Sequence, residues 1–270
     1  MRVTKLKLAL IGKDVSKSDS EKIHKFILER LGVACEYERI SISAMELEST
    51  LTRLFQGFDG FNVTIPYKRD VMGYLNEILG DAFTFGAVNT IVCKTKIGYN
   101  TDGVGFLQML RSNGIEPNGK KVLVLGAGGS GRSTAIALKN VGANVFMYRR
   151  DQELLQEVCR ELGVSASKDP EQGGYDIVVN ATGVGMHDSV GKSPVTDKAF
   201  VGAQTAIDLI YLPKESEFLR LAREAGLKTL NGEAMLFYQA YYSDCYYLNR
   251  RANEKEMDEL YLEYVRKNDI

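Results

Sequence analysis

The residues with most chemistry in them lie in two short polar runs. Lys68 closes the run Phe61-Asn-Val-Thr-Ile-Pro-Tyr-Lys68, which also carries Thr64, and Asp102 lies within Asn100-Thr-Asp-Gly-Val-Gly105. A lysine and an aspartate that face one another can hold a substrate hydroxyl and manage its proton during hydride transfer. The same two residues fit a structural ion pair equally well. Ser18 and Ser20 stand just ahead of an apolar stripe at helical spacing. Two hydroxyls at a helix N-terminus can hold a carboxylate, while Ser18 with Glu21 also matches the S-x-x-E capping pattern.

A second constellation is built from glycine. Gly126-Ala127-Gly128-Gly129-Ser130-Gly131 follows the apolar run Val122–Leu125 and opens a helical stretch. In that setting G-x-G-x-x-G is a dinucleotide-binding turn. Its first glycine allows the tight turn, the second lets backbone approach a pyrophosphate, and the third lets helix pack on strand. Free N–H groups and the helix dipole then hold the anion. The next strand ends Tyr148-Arg149-Arg150-Asp151. Two guanidinium groups favour a 2′-phosphate, hence NADP(H). Asp151 could reach a ribose hydroxyl and admit NAD(H), or simply cap the helix that follows. A cofactor-binding unit beside a lysine–aspartate pair implies a dehydrogenase.

Composition narrows the alternatives. Two histidines, His24 and His187, nearly exclude a multi-histidine metal site, so no metal is expected. A net charge of -1 gives no basic surplus for nucleic acid. Cys35, Cys93, Cys159 and Cys245 are far apart, with no CxxC and no zinc spacing. Free thiols, a start (Met1-Arg-Val-Thr-Lys-Leu-Lys) without a signal-peptide core, and no long apolar run point to a cytoplasmic chain without a membrane segment.

The elements that must position these residues alternate along the chain. Strands are expected at Lys5–Ile11, Cys35–Ile42, Phe61–Ile65 and Ala87–Lys94. Helices are expected after Ser20, over Met45–Phe55, and from Pro66 to Leu79. Phe106–Asn113 reads as a linking helix. Beyond it, strands at Lys121–Leu125, Asn144–Tyr148, Asp176–Asn180, Thr205–Leu209 and Lys228–Leu230 predict a parallel sheet with right-handed crossovers. The helix Asp151–Leu162 should present Leu154, Leu155, Val158 and Leu162 on one face, and the tail from Glu233 is helical. The fold class is therefore two-domain α/β: an N-terminal substrate domain over 1–103, completed by helices in 233–270, and a Rossmann domain with a parallel sheet over 104–232.

Taken in order, these motifs resemble the shikimate dehydrogenase family of shikimate and quinate dehydrogenases, and the resemblance covers nearly the whole chain. The Ser-x-Ser motif falls on Ser18 and Ser20, Asn-Val-Thr-x-Pro-x-Lys on Asn62 through Lys68, and Gly-Ala-x-Asn-Thr on Gly86 through Thr90. Asn-Thr-Asp-Gly carries Asp102, and Gly-Ala-Gly-Gly-x-x-Arg spans Gly126 through Arg132. Asn-Ala-Thr-x-x-Gly-Met spans Asn180 through Met186, and Gly-x-x-Met-Leu-x-x-Gln-Ala spans Gly232 through Ala240. The resemblance implies NADP-dependent, reversible reduction of 3-dehydroshikimate to shikimate in aromatic amino acid biosynthesis. It implies Lys68 and Asp102 as catalytic residues, with Ser18, Ser20, Thr64, Asn89, Asp102, Tyr211 and Gln239 on the substrate. Asn180, Ala181, Thr182 and Gly232 join the glycine loop, Arg149, Arg150 and Asp151 at the cofactor. The expected partner is a small molecule, with no nucleic acid and no membrane, and the chain is a monomer or homodimer.

Two positions depart from the family pattern: Lys17 replaces its usual His and Glu21 its usual Pro. The Arg-Arg-Asp run is similar to that of the quinate/shikimate branch, which accepts NAD as well. A quinate or aminoshikimate dehydrogenase, or a non-catalytic dinucleotide-binding sensor, are the alternatives.

Overall fold

The computed structural model describes residues 5–268; the reading of residues 1–4, and of 269–270 as part of the tail, lies outside the described residues. One compact unit runs to Gly105 and takes the chain up again at Leu236, and the other is Phe106–Met235.

The first unit contains β1 (Leu6–Gly12), α1 (Ser20–Arg30), β2 (Cys35–Ser41), α2 (Leu47–Gly57), β3 (Gly60–Val63), β4 (Glu77–Ile78), α3 (Asp81–Phe85), β5 (Thr90–Val92) and β6 (Ile97–Tyr99). Its six-stranded sheet has the order β2-β1-β3-β5-β6-β4. Strands β2, β1 and β3 are parallel, whereas β5 is antiparallel to both β3 and β6. Side chains alternate across a strand. Leu6, Leu8 and Leu10 of β1 accordingly enter one core with Leu28 and Tyr37, while Ala9 and Ile11 enter another with Leu51, Leu54, Phe61 and Ile91. The chain leaves this unit within α4 (Asp102–Ser112).

The second unit contains β7 (Lys121–Leu125), α5 (Gly129–Asn140), β8 (Asn144–Tyr148), α6 (Gln152–Leu162), β9 (Ser165–Ala166), β10 (Ile177–Asn180), β11 (Thr205–Asp208), α7 (Glu217–Glu224) and β12 (Lys228–Leu230). Its sheet is parallel throughout, in the order β12-β11-β10-β7-β8-β9. That is the doubly wound order of the Rossmann fold. Four of the five residues of β7 are buried, as a strand covered on both faces requires. The chain returns through α8 (Glu233–Tyr247) and ends in α9 (Glu254–Lys267). No helix among the described residues is long and apolar enough to cross a membrane.

Several local expectations are corrected. Pro66 to Leu79 is not an α-helix. It forms turns, a short 3-10 segment at Asp70–Tyr74 and the two-residue strand β4. Gly73 interrupts the run, whose main chain is drawn outward, with Asn76 N–H on the Lys96 carbonyl and Leu79 N–H on the Gly98 carbonyl. Ala87–Lys94 shortens to β5, because Ala87 and Val88 serve as the approach to it. Helix α4 starts four residues earlier than Phe106, at Asp102. Leu154 is half-exposed, and Cys159 takes its place on the buried face of α6. The four cysteines are free, and burial pushes the thiols of Cys35 and Cys93 up to about 12.

Candidate active site

Sheet topology brings distant motifs of the first unit to one edge. Because β1 and β3 are parallel, the loops after Gly12 and after Val63 leave from the same end. Strand β5 runs the other way, with Thr90 opposite Asn62, so Asn89 enters at that end. Strand β6 reverses again, with Tyr99 opposite Thr90, so Asn100 to Asp102 emerge there too. Four chain segments thus converge without any of them being close in sequence.

Their side chains are tied together. Lys68 Nζ donates to Asp102 Oδ2 at 2.6 Å, both groups being largely shielded from solvent. Asn89 Nδ2 donates to Asp102 Oδ1 at 2.8 Å, so both carboxylate oxygens are held. The backbone N–H of Thr101 donates to Asn89 Oδ1 at 2.9 Å, which fixes the amide with its NH2 toward Asp102. Thr101 Oγ1 donates to Gln239 Oε1 at 3.3 Å, and Gln239 Nε2 donates to the Leu236 carbonyl at 2.9 Å. Gln239 from α8 therefore joins Lys68, Asn89 and Asp102 in one network. Backbone contacts seat its members: the Lys68 carbonyl accepts from Val88 N–H, and Asn100 Oδ1 accepts from Asp102 N–H.

Thr64 is placed by its N–H to the Ile11 carbonyl, and its methyl lies where a Cβ on Gly12 would collide, at 2.5 Å. Ser18 and Ser20 form their own pair, with Ser18 Oγ donating to Ser20 Oγ at 3.0 Å. The alternative Ser18–Glu21 capping box is absent; Asp19 is the N-cap residue and makes no side-chain cap. Glu21 turns instead to Arg39 Nε at 3.1 Å and Lys25 Nζ at 2.7 Å. Arg39 in turn donates to the Ser16 carbonyl, so the serine loop is braced from β2.

The second unit gathers its motifs at the carboxyl ends of parallel strands, where ligands of such sheets bind. Gly126 has φ +101°, a conformation L side chains rarely adopt, and its N–H donates to the Tyr148 carbonyl. A Cβ on Gly131 would stand 2.2 Å from the Gly126 carbonyl oxygen, so only glycine lets α5 start this close to the turn. Ala181 and Thr182 pack on the other side of Gly126. Ala127 and Ser130 are half-buried within the turn, while Gly128 and Gly129 are exposed, with no protein atom within 4 Å of where their Cβ atoms would stand. The start of α5 is thus an open cradle of backbone amides that suits a pyrophosphate.

Asp151 Oδ1 accepts from Leu154 N–H at 3.0 Å, making it the N-cap of α6; its other oxygen is 3.9 Å from Arg149. Arg150 beside them is exposed. Asn180 Nδ2 donates to the buried carboxylate of Asp208 at 3.0 Å. Asp208 also accepts from Ile210 N–H and Ser216 Oγ, closing the loop that carries half-buried Tyr211. Burial pushes the Asp208 carboxyl up to about 6 against these three hydrogen bonds. Gly232 packs directly on the Leu209 carbonyl.

Residues that sequence reasoning passed over are Asn62, Thr90, Thr101, Asp208 and Ser243. The first three stand inside motifs already noted, and Ser243 follows Gln239 by one helical turn, which was the available signal. Among the described residues no cluster of His, Cys, Asp or Glu could hold a metal ion.

Residues 10–91 match the shikimate dehydrogenase substrate binding domain. The NADP(+) shikimate dehydrogenase of Carboxydothermus hydrogenoformans is 37% identical over 245 residues, 85% of this chain and 87% of that protein. The shikimate 5-dehydrogenase of Thermus thermophilus, solved in complex with NADP(H) and shikimate, superposes with a TM-score of 0.87 at 33% identity, covering 94% of this chain and 98% of that one. The Listeria monocytogenes shikimate 5-dehydrogenase, in complex with shikimate and NAD, gives a TM-score of 0.82 at 26% identity over 96% and 98% of the two chains. With relatives of this similarity matched over most of both chains, the protein belongs to the shikimate dehydrogenase family.

Proposed function

We propose that the protein catalyses the NADP-dependent, reversible reduction of 3-dehydroshikimate to shikimate, a cytoplasmic step toward aromatic amino acids. The observation that carries this reading is the Lys68–Asp102 hydrogen bond at 2.6 Å, with the second Asp102 oxygen held by Asn89. The first unit is the substrate domain and the second the cofactor domain.

Bound NADPH supplies a hydride to the ring carbonyl carbon. Gly126 to Gly131 hold its pyrophosphate, Arg149 and Arg150 its 2′-phosphate, and Asn180, Ala181, Thr182 and Gly232 line the adjoining strand ends. Arg149 and exposed Arg150 at the end of β8 support NADP as the partner of this run. Lys68 donates a hydrogen bond to the carbonyl oxygen and delivers its proton as charge develops there. Asp102 keeps the ammonium in place and accepts from a ring hydroxyl. Ser18 and Ser20 hold the carboxylate, while Thr64, Asn89, Gln239 and Tyr211 hold the ring hydroxyls.

The test is Lys68→Ala. Its kcat for shikimate should fall roughly 10²–10⁴-fold, the usual worth of a positioned acid–base group, with KM for NADP+ unchanged. Turnover equal to wild type would remove Lys68 from the chemistry.

A further inference from the structure

Between α1 and α8 lies a buried pair of titratable side chains that the proposed chemistry does not use. His24 of α1 and Asp244 of α8 are each 0% exposed, and His24 Nδ1 stands 2.6 Å from Asp244 Oδ1. The remaining polar atom of each, His24 Nε2 and Asp244 Oδ2, has no hydrogen-bond partner. Tyr37 of β2 covers the imidazole, the two rings stacked with centroids 5.0 Å apart. Taking such a pair out of water is costly, and apolar residues of similar volume often serve stability as well or better. What the pair adds is direction, because a hydrogen bond fixes distance and angle whereas apolar faces can slide.

The position of the pair gives that direction a use. Ser20 opens α1 and His24 follows it by four residues, so the two stand one turn apart on the same, buried face. On α8, Ser243 follows Gln239 by four residues and its hydroxyl donates to the Gln239 carbonyl at 2.9 Å; Asp244 is the next residue. The pair therefore joins α1 one turn behind the serines to α8 little more than one turn behind Gln239. Phe26 and Phe237 also meet between these helices, with ring centroids 6.3 Å apart, but that contact is apolar and fixes no register.

We propose that His24 and Asp244 are positioning residues for substrate: their hydrogen bond sets the register of α1 against α8, and so the spacing between the serines that take the carboxylate and the Gln239 that takes a ring hydroxyl. The inference rests on the reading of Ser20 and Gln239 as shikimate ligands. Both members of the pair are enclosed, so they act through the helices. Their loss is felt by a ligand that must reach both helices at once, and not by NADP+, whose proposed site belongs to the second unit.

The test replaces both partners by apolar residues, His24→Phe together with Asp244→Leu, which leaves neither partner stranded. In the variant, folded by circular dichroism, KM for shikimate should rise about tenfold, with KM for NADP+ within about twofold. In a Ser20→Ala background the carboxylate end is already released, so the same replacement should raise shikimate KM no more than about twofold. An unchanged shikimate KM in the pair variant would overturn the proposal. So would an equal rise in both backgrounds, which would assign the effect to general loosening of the unit. Should the pair variant not fold, Asp244→Asn carries the test, since it keeps the shape and a hydrogen bond but loses the assistance of charge: a shikimate KM raised about threefold with that of NADP+ unmoved supports the proposal, and an unchanged one overturns it. A wild type inert toward shikimate would overturn the functional reading, and a Ser20→Ala variant with wild-type shikimate KM would overturn the reading of Ser20; the proposal falls with either. A shikimate-active wild type that needs Ser20 but is indifferent to loss of the pair overturns the proposal alone.

Discussion

The two units prepare for their ligands with different materials. At the end of β3 the first unit assembles side chains, Lys68, Asn89, Asp102 and Gln239, joined by hydrogen bonds in which Lys68 and Asn89 donate to Asp102 and Asn89 donates to Gln239. At the end of β7 the second unit offers backbone, and what matters there is the absence of side chains at Gly126, Gly128, Gly129 and Gly131. Side-chain sites discriminate by the identity and orientation of donors and acceptors, whereas a bare helix start grips any phosphate of suitable shape. The first unit should therefore decide which polyol reacts, and the second should accept its cofactor by shape, with discrimination confined to the arginines after β8.

Three substitutions would break or sharpen this contrast. The largest effect is expected from Gly131→Ala, which forces a methyl against the Gly126 carbonyl oxygen at 2.2 Å. NADPH affinity, followed by fluorescence titration, should fall about a hundredfold while shikimate KM is kept. A loss shared equally by both ligands would contradict the separation of roles. Next comes Arg149→Ala, where steady-state kinetics should show kcat/KM falling about tenfold for NADP+ and little for NAD+, because only the former carries the 2′-phosphate. Equal losses would remove Arg149 from phosphate recognition.

The smallest effect on turnover is expected from Asp208→Asn. The folded chain holds the Asp208 proton up to about 6, while an unfolded aspartate releases it near 4. Between those values the folded state binds more protons, so stability falls as pH rises through the window and is level above it. The slope is at most roughly 1.4 kcal/mol per pH unit. Denaturant titrations at pH 4, 5 and 6 should show stability falling more steeply, or rising less, with pH in wild type than in the variant, by the Asp208 contribution. Matching slopes would mean that Asp208 titrates alike in both states.

The contrast also explains what was legible in the sequence. The parallel sheet and glycine loop of the second unit could be read in advance, because apolar runs and glycine spacing are local patterns with local causes. In the first unit the residues of the Lys68–Asp102 network could be named through their motifs, but not their wiring. Asn89 meets Asp102 only because β5 and β6 reverse direction, and Gln239 joins them from 137 residues beyond Asp102. Pairings of that kind are set by tertiary packing. The error over Pro66–Leu79 has the same origin, since that segment is held by contacts to other strands rather than by its own periodicity. The alternative Ser18–Glu21 capping pattern is not realised: the helix takes Asp19 as its N-cap residue, and Glu21 pairs with Arg39 and Lys25.

The most direct measurement is initial-rate kinetics of the wild-type chain with shikimate and quinate, each against NADP+ and NAD+. The highest kcat/KM should belong to shikimate with NADP+. Preferred turnover of quinate with NAD+, or NADPH binding without turnover of either polyol, would contradict the account.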